Sequence, residues 1–252
     1  MTISPENPLR LALWSGPRNI STAMMRAFES RGDCAVSDEP LYAIYLKNSG
    51  LDHPLRTQVI ASQSLDPQAV IHTLLGPVPD DKPIWYQKHM TLHMTPEIDR
   101  KWLAQLRNVF LIRDPRAVLA SYASKRTTVT LADIGFVQQR ELFEAEADRL
   151  GSAPPVVDAL DILDNPEHML QILCNSLAIA YTPRMLHWLP GRRATDGVWA
   201  PAWYQSVEKS TGFSAPTTKN AKPLNPALEH IALRAIPHYQ ALSQHKLDWR
   251  RG

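Results

Sequence analysis

The sequence predicts a three-layer α/β protein, in which helices cover both faces of a central parallel sheet. Short apolar runs of strand length alternate along the chain with segments whose apolar residues recur at helical spacing. Such alternation is typical of a parallel sheet covered on both faces. The apolar runs also end in polar or charged residues, and in folds of this kind ligands bind beyond the carboxyl ends of the strands.

The predicted elements follow in order from residue 9. Residues 9–14 are an apolar run that indicates a first strand, and a helix is predicted from Ser21 to Ser30, with a buried face at Ala23, Met24, Ala27 and Phe28. Later strands are predicted at residues 35–36, 84–86, 109–112 and 156–157. Later helices are predicted at residues 66–75, from Pro115 through Lys125, and at residues 133–150, 166–178 and about 226–243.

The length is typical of one α/β domain. The chain has 252 residues, and α/β folds of about 200–250 residues often form a single unit. We predict a single domain over residues 1–252, with a core at about 9–190 and a C-terminal extension of loops and a helix at 191–252. Residues 190–225 are rich in Trp, Pro, Thr and Lys, and this composition indicates loops.

The composition excludes several classes of protein. The chain has 27 basic and 25 acidic residues, so it lacks the charge expected of a nucleic-acid-binding protein. No apolar stretch approaches the ~18 residues of a membrane span, and the N-terminus has no signal-peptide pattern, so we expect a cytoplasmic protein without membrane contact. Its 2 cysteines predict reduced thiols. With only 10 glycines, any phosphate-binding loop must contain few of them.

A first candidate anion site follows the first predicted strand, in the segment LALWSGPRNISTAM. A helix N-terminus presents free backbone N–H groups and the positive end of the helix dipole. Arg18 adds a cation there, and Ser21 and Thr22 add hydroxyl donors. The segment does not fit the Walker A pattern G-x-x-x-x-G-K-[ST]. The alternative is that Ser21 only caps the helix and that Arg18 is a surface residue.

A second candidate segment is VFLIRDPRAVLASYASKR. Arg113 follows a strand, Pro115 begins the next helix, and Ser121 lies along that helix. The alternative is that Asp114 caps the helix and pairs with Arg113. Each segment alone is a weak signal, and the pair is more specific.

Together the segments resemble the sulfotransferases that use the sulfate donor PAPS, in particular small bacterial ones, within the P-loop superfamily. Residues 17–23 resemble the motif P-R-S-G-S-T-L, with Ile20 where that family usually has glycine. Arg113 and Ser121, eight positions apart, resemble its second motif, and residues 156–188 resemble a later strand and helix region. The resemblance spans about residues 9–190 and implies the P-loop NTPase-like fold of the sulfotransferase type.

The resemblance implies transfer of a sulfuryl group from PAPS to a hydroxyl or amine of a small-molecule acceptor, with PAP as product. Arg18 and the amides of residues 19–22 would hold the phosphosulfate of the donor, together with the hydroxyl groups of this loop. Arg113 and Ser121 would bind the 3′-phosphate. The residues implied for the donor are Arg18, Asn19, Ile20, Ser21, Thr22, Arg113 and Ser121. No metal is implied.

The acceptor must lose a proton, so the sequence should provide a base. Glu39 follows the second predicted strand, and Lys88 and His89 follow the third. By resemblance we favour Glu39 as the base with Lys88 and His89 assisting, and His89 as base is the alternative. Glu39 could instead serve only in an ion pair. His89 and His93 stand four residues apart, but no H-E-x-x-H pattern accompanies them, so a metal pair is disfavoured.

The extension offers weaker candidates. Trp199, Trp203, Tyr204 and Phe213 could line an acceptor pocket or simply pack within a loop layer. Arg192, Arg193, Lys209 or Lys219 could supply a basic loop over the nucleotide. Two other functions stay open at this point: a P-loop small-molecule kinase or nucleotide hydrolase that uses ATP and Mg²⁺, and a nucleotide-binding protein without enzymatic activity.

Overall fold

The computed structural model describes residues 3–123, 128–215 and 223–248. Its centre is a five-stranded sheet in the spatial order β2-β3-β1-β4-β5, and every strand pair is parallel. The strands are β1 (Leu9–Ser15), β2 (Cys34–Asp38), β3 (Ile84–Met90), β4 (Arg107–Ile112) and β5 (Val156–Asp158). The predicted parallel α/β fold is confirmed.

Eleven α-helices surround this sheet in the described part of the chain. They are α1 (Ser21–Glu29), α2 (Tyr42–Ser49), α3 (Arg56–Ser62), α4 (Pro67–Leu75), α5 (Pro115–Tyr122), α6 (Phe136–Leu150), α7 (Ala159–Asp164), α8 (Pro166–Ser176), α9 (Ala200–Trp203), α10 (Gln205–Glu208) and α11 (Pro226–Ser243). None of the helices within the described residues is both long enough and apolar enough to cross a bilayer.

The alternation of side chains along β1 explains the three layers. Leu11 and Leu13 point to one face of the sheet, where they pack in a cluster with residues of α1 and α8. Ala12 and Trp14 point to the other face and pack with residues of α4, α6 and α11. A parallel strand buried on both faces reads as a continuous apolar run, which is why β1 could be predicted from its sequence.

The strand register brings the carboxyl ends of three strands together at one edge of the sheet. Ser15 at the end of β1 pairs with Met90 at the end of β3, and Asp38 at the end of β2 pairs with Lys88. The carboxyl ends of β1, β2 and β3 therefore meet, and the loops that follow them enclose one space.

Several helices differ from the sequence prediction. Helices α2 and α3 were not predicted, and no side chain caps either of them at its N-terminus. Helix α6 begins at Phe136 rather than at residue 133, because Gly135 has a left-handed backbone (φ 68°) that separates it from a short 3₁₀ turn. Helix α5 ends at Tyr122, and Lys125 lies outside the described residues.

The C-terminal extension packs on the core through polar contacts as well as apolar ones. The hydroxyl of Tyr239 in α11 donates to Asp158 at 2.6 Å, and Lys246 Nζ donates to Asp161 at 2.6 Å. The backbone N–H of Leu247 donates to the carbonyl of Val156 at 2.8 Å. The chain after α11 thus runs beside the edge strand β5.

Candidate active site

A cavity of about 720 Å³ opens at the carboxyl ends of the strands. The loop after β1, the ends of β2 and β3, helix α5 and the segment at residues 203–215 all contribute to its wall. All but one of the ten predicted site residues line it: Arg18, Asn19, Ile20, Ser21, Thr22, Glu39, Lys88, Arg113 and Ser121. His89 is the exception.

The loop between β1 and α1 is shaped by one close approach and two left-handed residues. A Cβ at Gly16 would lie 2.6 Å from the carbonyl oxygen of Ile134, so only glycine fits at this position. Arg18 (φ 58°) and Ile20 (φ 46°) both have positive φ. A β-branched residue seldom adopts this conformation, which marks local strain.

Ile20 therefore has a left-handed backbone conformation, which glycine adopts more readily than any other residue. Its side chain packs against the apolar cluster under α1, and its carbonyl accepts the N–H of Met24 at 3.0 Å. Ile20, not Ser21, is the N-cap residue, and no side chain caps the helix. The reading of Ser21 as a plain helix cap is wrong. The N–H groups of the first turn of α1 are left without a side-chain cap at the cavity wall.

Arg18, Arg113 and Ser121 form one linked group. The Arg113 guanidinium donates to the carbonyl of Arg18 at 2.6 Å, and Arg18 Nε donates to Ser121 Oγ at 2.9 Å. Asp114 does cap α5, accepting from the N–H of Arg116 at 2.9 Å. Within the described chain, however, Arg113 forms no ion pair with Asp114.

The guanidinium groups of Arg18 and Arg113 make this part of the cavity positively charged. No carboxylate in the described residues forms an ion pair with Arg18 or Arg113. Burial lowers the pKa of both side chains, and the positive charge of Arg18 lowers that of Arg113 further. Arginine nevertheless stays charged at neutral pH. Two partly desolvated cations beside a helix N-terminus provide a site for a polyanion.

Lys88 is the centre of a second, buried polar cluster at the cavity wall. Its ammonium group donates to Asp38 Oδ1 at 2.8 Å, to Glu39 Oε1 at 2.5 Å and to the hydroxyl of Tyr204. These bonds use all three of its N–H donors. Tyr204 in turn donates to Asp38 at 2.8 Å and accepts from Trp199 Nε1 at 3.0 Å.

The buried charges of this cluster shift each other's pKa. Burial raises the pKa of Glu39, and the positive charge of Lys88 only partly offsets this effect. Burial lowers the pKa of Lys88, but Asp38 and Glu39 outweigh burial, so the pKa is raised and the ammonium stays charged. Glu39 has a left-handed backbone (φ 40°), as strained functional residues often do. No described residue donates to its second oxygen, Oε2.

The structure does not bring His89 to the cavity. Side chains alternate along β3, so Lys88 faces the cavity and His89 faces the opposite layer. There it stacks on Trp14 with the ring centroids 4.4 Å apart, and burial lowers its pKa to about 3. The histidines that line the cavity are His53 and His93.

The C-terminal extension contributes three of the four predicted aromatic residues to the cavity wall. Trp203, Tyr204 and Phe213 line the cavity, whereas Trp199 lies buried behind Tyr204. Of the basic candidates, Arg193 faces Glu29, Arg192 and Lys209 are not among the lining residues, and Lys219 lies outside the described residues. The hydrogen bond from Lys88 to Tyr204 joins residues 116 positions apart, and no spacing in the sequence could have shown it.

The sulfotransferase domain family matches residues 9–246. The chain belongs to this family. Two proteins of Arabidopsis thaliana, the branched-chain-amino-acid aminotransferase-like proteins 1 and 2, are 33% and 31% identical to it over 234 residues. The match covers 92% of this chain but only 41% of each relative's length.

Solved structures of sulfotransferases share the fold of this family member. The domain from the Synechococcus PCC 7002 olefin synthase has a TM-score of 0.55 at 19% identity, covering 93% of this chain and 94% of its own. The enzyme from Alicyclobacillus acidocaldarius has a TM-score of 0.56 at 11% identity, covering 96% and 98%. The domain of the curacin biosynthetic pathway has a TM-score of 0.51 at 18% identity, covering 90% and 97%.

Proposed function

We propose that this sulfotransferase family member transfers a sulfuryl group from PAPS to a hydroxyl or amine of a small-molecule acceptor and releases PAP. The observation that carries the proposal is the pair of cavity-lining guanidiniums, Arg18 and Arg113, which have no carboxylate partner within the described residues. A donor with two separate phosphate groups needs two such cationic centres. A cytoplasmic location, expected from the sequence, stays part of this proposal.

The donor would lie along the loop and the start of α1. The N–H groups at the start of α1 and the Arg18 side chain suit the phosphosulfate, with hydroxyl donors from Ser21 and Thr22. Arg113 and Ser121 suit the 3′-phosphate, because a guanidinium and a hydroxyl both donate to phosphate oxygens. Asn19 also anchors the loop to β4, because its side chain donates to the carbonyl of Leu111 at 2.7 Å.

Glu39 is the base of this proposal. Oε1 is held by Lys88, which fixes the carboxylate, and Oε2 has no donor among the described residues. The acceptor hydroxyl gives its proton to Glu39 while its oxygen bonds to sulfur. The bond from sulfur to the bridging oxygen then breaks, and the negative charge stays on that oxygen of PAP. Since Lys88 uses its three donors on protein groups, its role here is to keep Glu39 ionised and oriented.

Positioning and charge stabilisation dominate such a reaction, as they do in phosphoryl transfer. PAPS supplies the activated sulfuryl group, and the protein supplies the two anion sites, the base and a wall against water. An ATP-dependent kinase and a non-enzymatic nucleotide-binding protein are the competing functions. A preference for PAP and PAPS over ATP distinguishes the proposed sulfotransferase from the kinase.

A thermal-shift comparison of PAP, PAPS and ATP with Mg²⁺ tests the proposal. Selective stabilisation by PAP and PAPS over ATP supports a sulfuryl donor site. Stabilisation by ATP alone would exclude it. Incubation with PAPS and a panel of alcohols and amines then separates enzyme from binding protein, because only the enzyme forms a sulfated product.

A further inference from the structure

Two carboxylates share one ammonium group at the wall of the cavity. Lys88 Nζ donates to Asp38 Oδ1 at 2.8 Å and to Glu39 Oε1 at 2.5 Å. The side chains of Asp38 and Lys88 are 1% exposed, and that of Glu39 is 11% exposed. With Lys88 protonated and both carboxylates ionised, these three residues carry one negative charge in excess. Such a charge is unfavourable where water is largely excluded, so the group has a place for one proton.

The two carboxylates differ in their access to the cavity. Glu39 lines it, and no described residue donates to Oε2 of this side chain. Asp38 is not among the lining residues, and protein donors reach both of its oxygens. The hydroxyl of Tyr204 donates to it at 2.8 Å, and the backbone N–H of Gly197 donates to Oδ2 at 3.0 Å. Such donors favour the ionised form of a carboxylate, so the proton goes to Glu39.

Asp38 changes what Lys88 does to Glu39. A glutamate paired with a lysine alone is a weak base, because the ammonium stabilises the carboxylate. Asp38 binds the same ammonium and places a second negative charge beside Glu39. Burial and the charge of Asp38 both raise the pKa of Glu39, and Lys88 offsets them only in part. Glu39 is therefore oriented by Lys88 without losing its affinity for a proton.

We propose that Asp38 sets the strength of Glu39 as a base by competing with it for the single ammonium of Lys88. The inference rests on the proposed function, in which Glu39 takes the proton of the acceptor. When the acceptor O–H bond breaks, the proton passes to Oε2 of Glu39 and the electron pair stays on the oxygen that bonds to sulfur. The group of three residues then becomes neutral. Because Asp38 does not line the cavity, it is a positioning residue that acts through Lys88.

Other titratable groups also face Glu39 from the elements around it. Tyr204 lies between α9 and α10, and Tyr42 lies on α2. Burial raises the pKa of both tyrosines, so their hydroxyls are uncharged near neutral pH. Burial lowers the pKa of His93 well below its ordinary value, so this ring is neutral as well. The cavity is also lined by His53, Arg18 and Arg113. Of the groups bonded to Lys88, only Asp38 and Glu39 carry a negative charge.

The test follows the titration of Glu39 in the free protein, by NMR of glutamate with an isotopically labelled side-chain carboxyl carbon. The signal of Glu39 is the one that is absent from Glu39→Gln. Asp38→Asn removes the charge and keeps an oxygen that accepts hydrogen bonds. Tyr204→Phe keeps the charge and removes a donor from both carboxylates. Asp66→Asn is the matched control, because Asp66 is an exposed cap of α4 and asparagine caps a helix equally well.

In Asp38→Asn the pH at which Glu39 titrates should fall by about one unit, because Lys88 then pairs with Glu39 alone. In Tyr204→Phe it should rise, because both carboxylates lose a donor and Asp38 attracts Lys88 more strongly. Loosening of the site would instead move Glu39 in both variants toward an exposed glutamate, which titrates lower. Opposite shifts therefore separate the charge effect from a structural one. Asp66→Asn should titrate as wild type does.

The same shifts should appear in catalysis. With an acceptor that turns over, the acid limb of the kcat profile should move to lower pH in Asp38→Asn and to higher pH in Tyr204→Phe. The plateau of kcat should fall in Asp38→Asn, because a weaker base takes the proton less readily. The KM for the acceptor should stay close to that of wild type, since Asp38 does not line the cavity.

An unchanged or higher titration of Glu39 in Asp38→Asn would overturn the inference, and so would a lower one in Tyr204→Phe. If Asp38→Asn does not fold, the rise expected in Tyr204→Phe decides alone. Opposite shifts in a protein that forms no sulfated product from PAPS would support the inference about the two carboxylates and refute the proposed function. A sulfated product together with a Glu39 titration that is independent of Asp38 would refute the inference and leave the proposed function standing.

Discussion

Arg26 of α1 donates a 2.6 Å hydrogen bond to the carboxylate of Asp196, 170 positions further along the chain. Both side chains are buried, at 1% and 0% exposure. The next residue, Gly197, donates its backbone N–H to Asp38 at 3.0 Å, and Asp38 also bonds Lys88. The ion pair thus fixes the segment that brings Tyr204 to the cavity against α1, the helix that follows the loop after β1.

Replacing Asp196 by alanine should destabilise the protein by about 3–5 kcal/mol, because the buried Arg26 charge then keeps only Glu29, 3.7 Å away, as an ion-pair partner among the described residues. Chemical unfolding in urea measures the change. Glu141→Ala is the control, because Glu141 forms an exposed pair with Arg100 and such pairs contribute little. Equal effects of the two substitutions would contradict a structural role for the Arg26 pair.

Tyr204→Phe should also destabilise the fold, by about 1–3 kcal/mol, because Asp38, Lys88 and Trp199 each lose a hydrogen-bond partner in a buried site. Tyr86→Phe is the matched control. Tyr86 is equally buried, but its hydroxyl has no partner among the described residues, so its removal should not lower the free energy of unfolding. A larger loss in Tyr86→Phe than in Tyr204→Phe would refute the role of the Tyr204 hydroxyl.

Glu39→Gln should lower kcat by about 10²–10⁴-fold with an acceptor that turns over, while PAP binding stays close to that of wild type. A base works in its ionised form, and burial raises the pKa of Glu39. The kcat of wild type should therefore decline with falling pH at values above the ordinary pKa of a glutamic acid. A full pH profile of both proteins measures this, with Glu141→Gln as the exposed control. A variant that retains kcat and the same acid limb would exclude Glu39 as the base.

Gly16→Ala should distort the loop after β1, because the new Cβ would lie 2.6 Å from a backbone oxygen of Ile134. We expect a loss of about 1–3 kcal/mol in unfolding free energy and weaker PAP binding. Gly151→Ala is the control: its φ of 66° makes alanine unfavourable, yet nothing lies within 4 Å. It should lose stability without weaker PAP binding. Weaker PAP binding in Gly151→Ala but not in Gly16→Ala would contradict a role of the loop after β1 in PAP binding.

The sheet could be predicted from sequence because its strands are buried on both faces. Residues 9–14 and 109–112 are apolar without interruption, and the structure has β1 and β4 there. Helices α2 and α3 could not be predicted in the same way. Neither has a side-chain cap. Tertiary packing in a cluster with Met90 at the end of β3 and with Trp199 and Tyr204 stabilises them rather than a local signal.

Arg18, Arg113 and Ser121 could be predicted to lie together at the cavity, because they belong to two short segments that follow neighbouring strands. The part of the cavity lined by Lys88, Tyr204 and His93 could not be predicted, since these residues meet only through the sheet register and the packing of the C-terminal extension. His89 was predicted at the site because it follows the third predicted strand, but the alternation of side chains along β3 directs it to the opposite layer, against Trp14. Only the structure shows that the chain turns there into a short 3₁₀ segment and carries His93 to the cavity.

In the proposed function, Arg113 binds a phosphate that PAP has and 5′-AMP lacks. Calorimetric titration of wild type with both nucleotides tests it most directly, together with Arg113→Ala and the exposed control Arg116→Ala. We predict that wild type and Arg116→Ala bind PAP at least tenfold more tightly than 5′-AMP, and that this preference is lost in folded Arg113→Ala. Equal affinity of wild type for the two nucleotides, or an undiminished preference for PAP in Arg113→Ala, would contradict binding of the 3′-phosphate by Arg113.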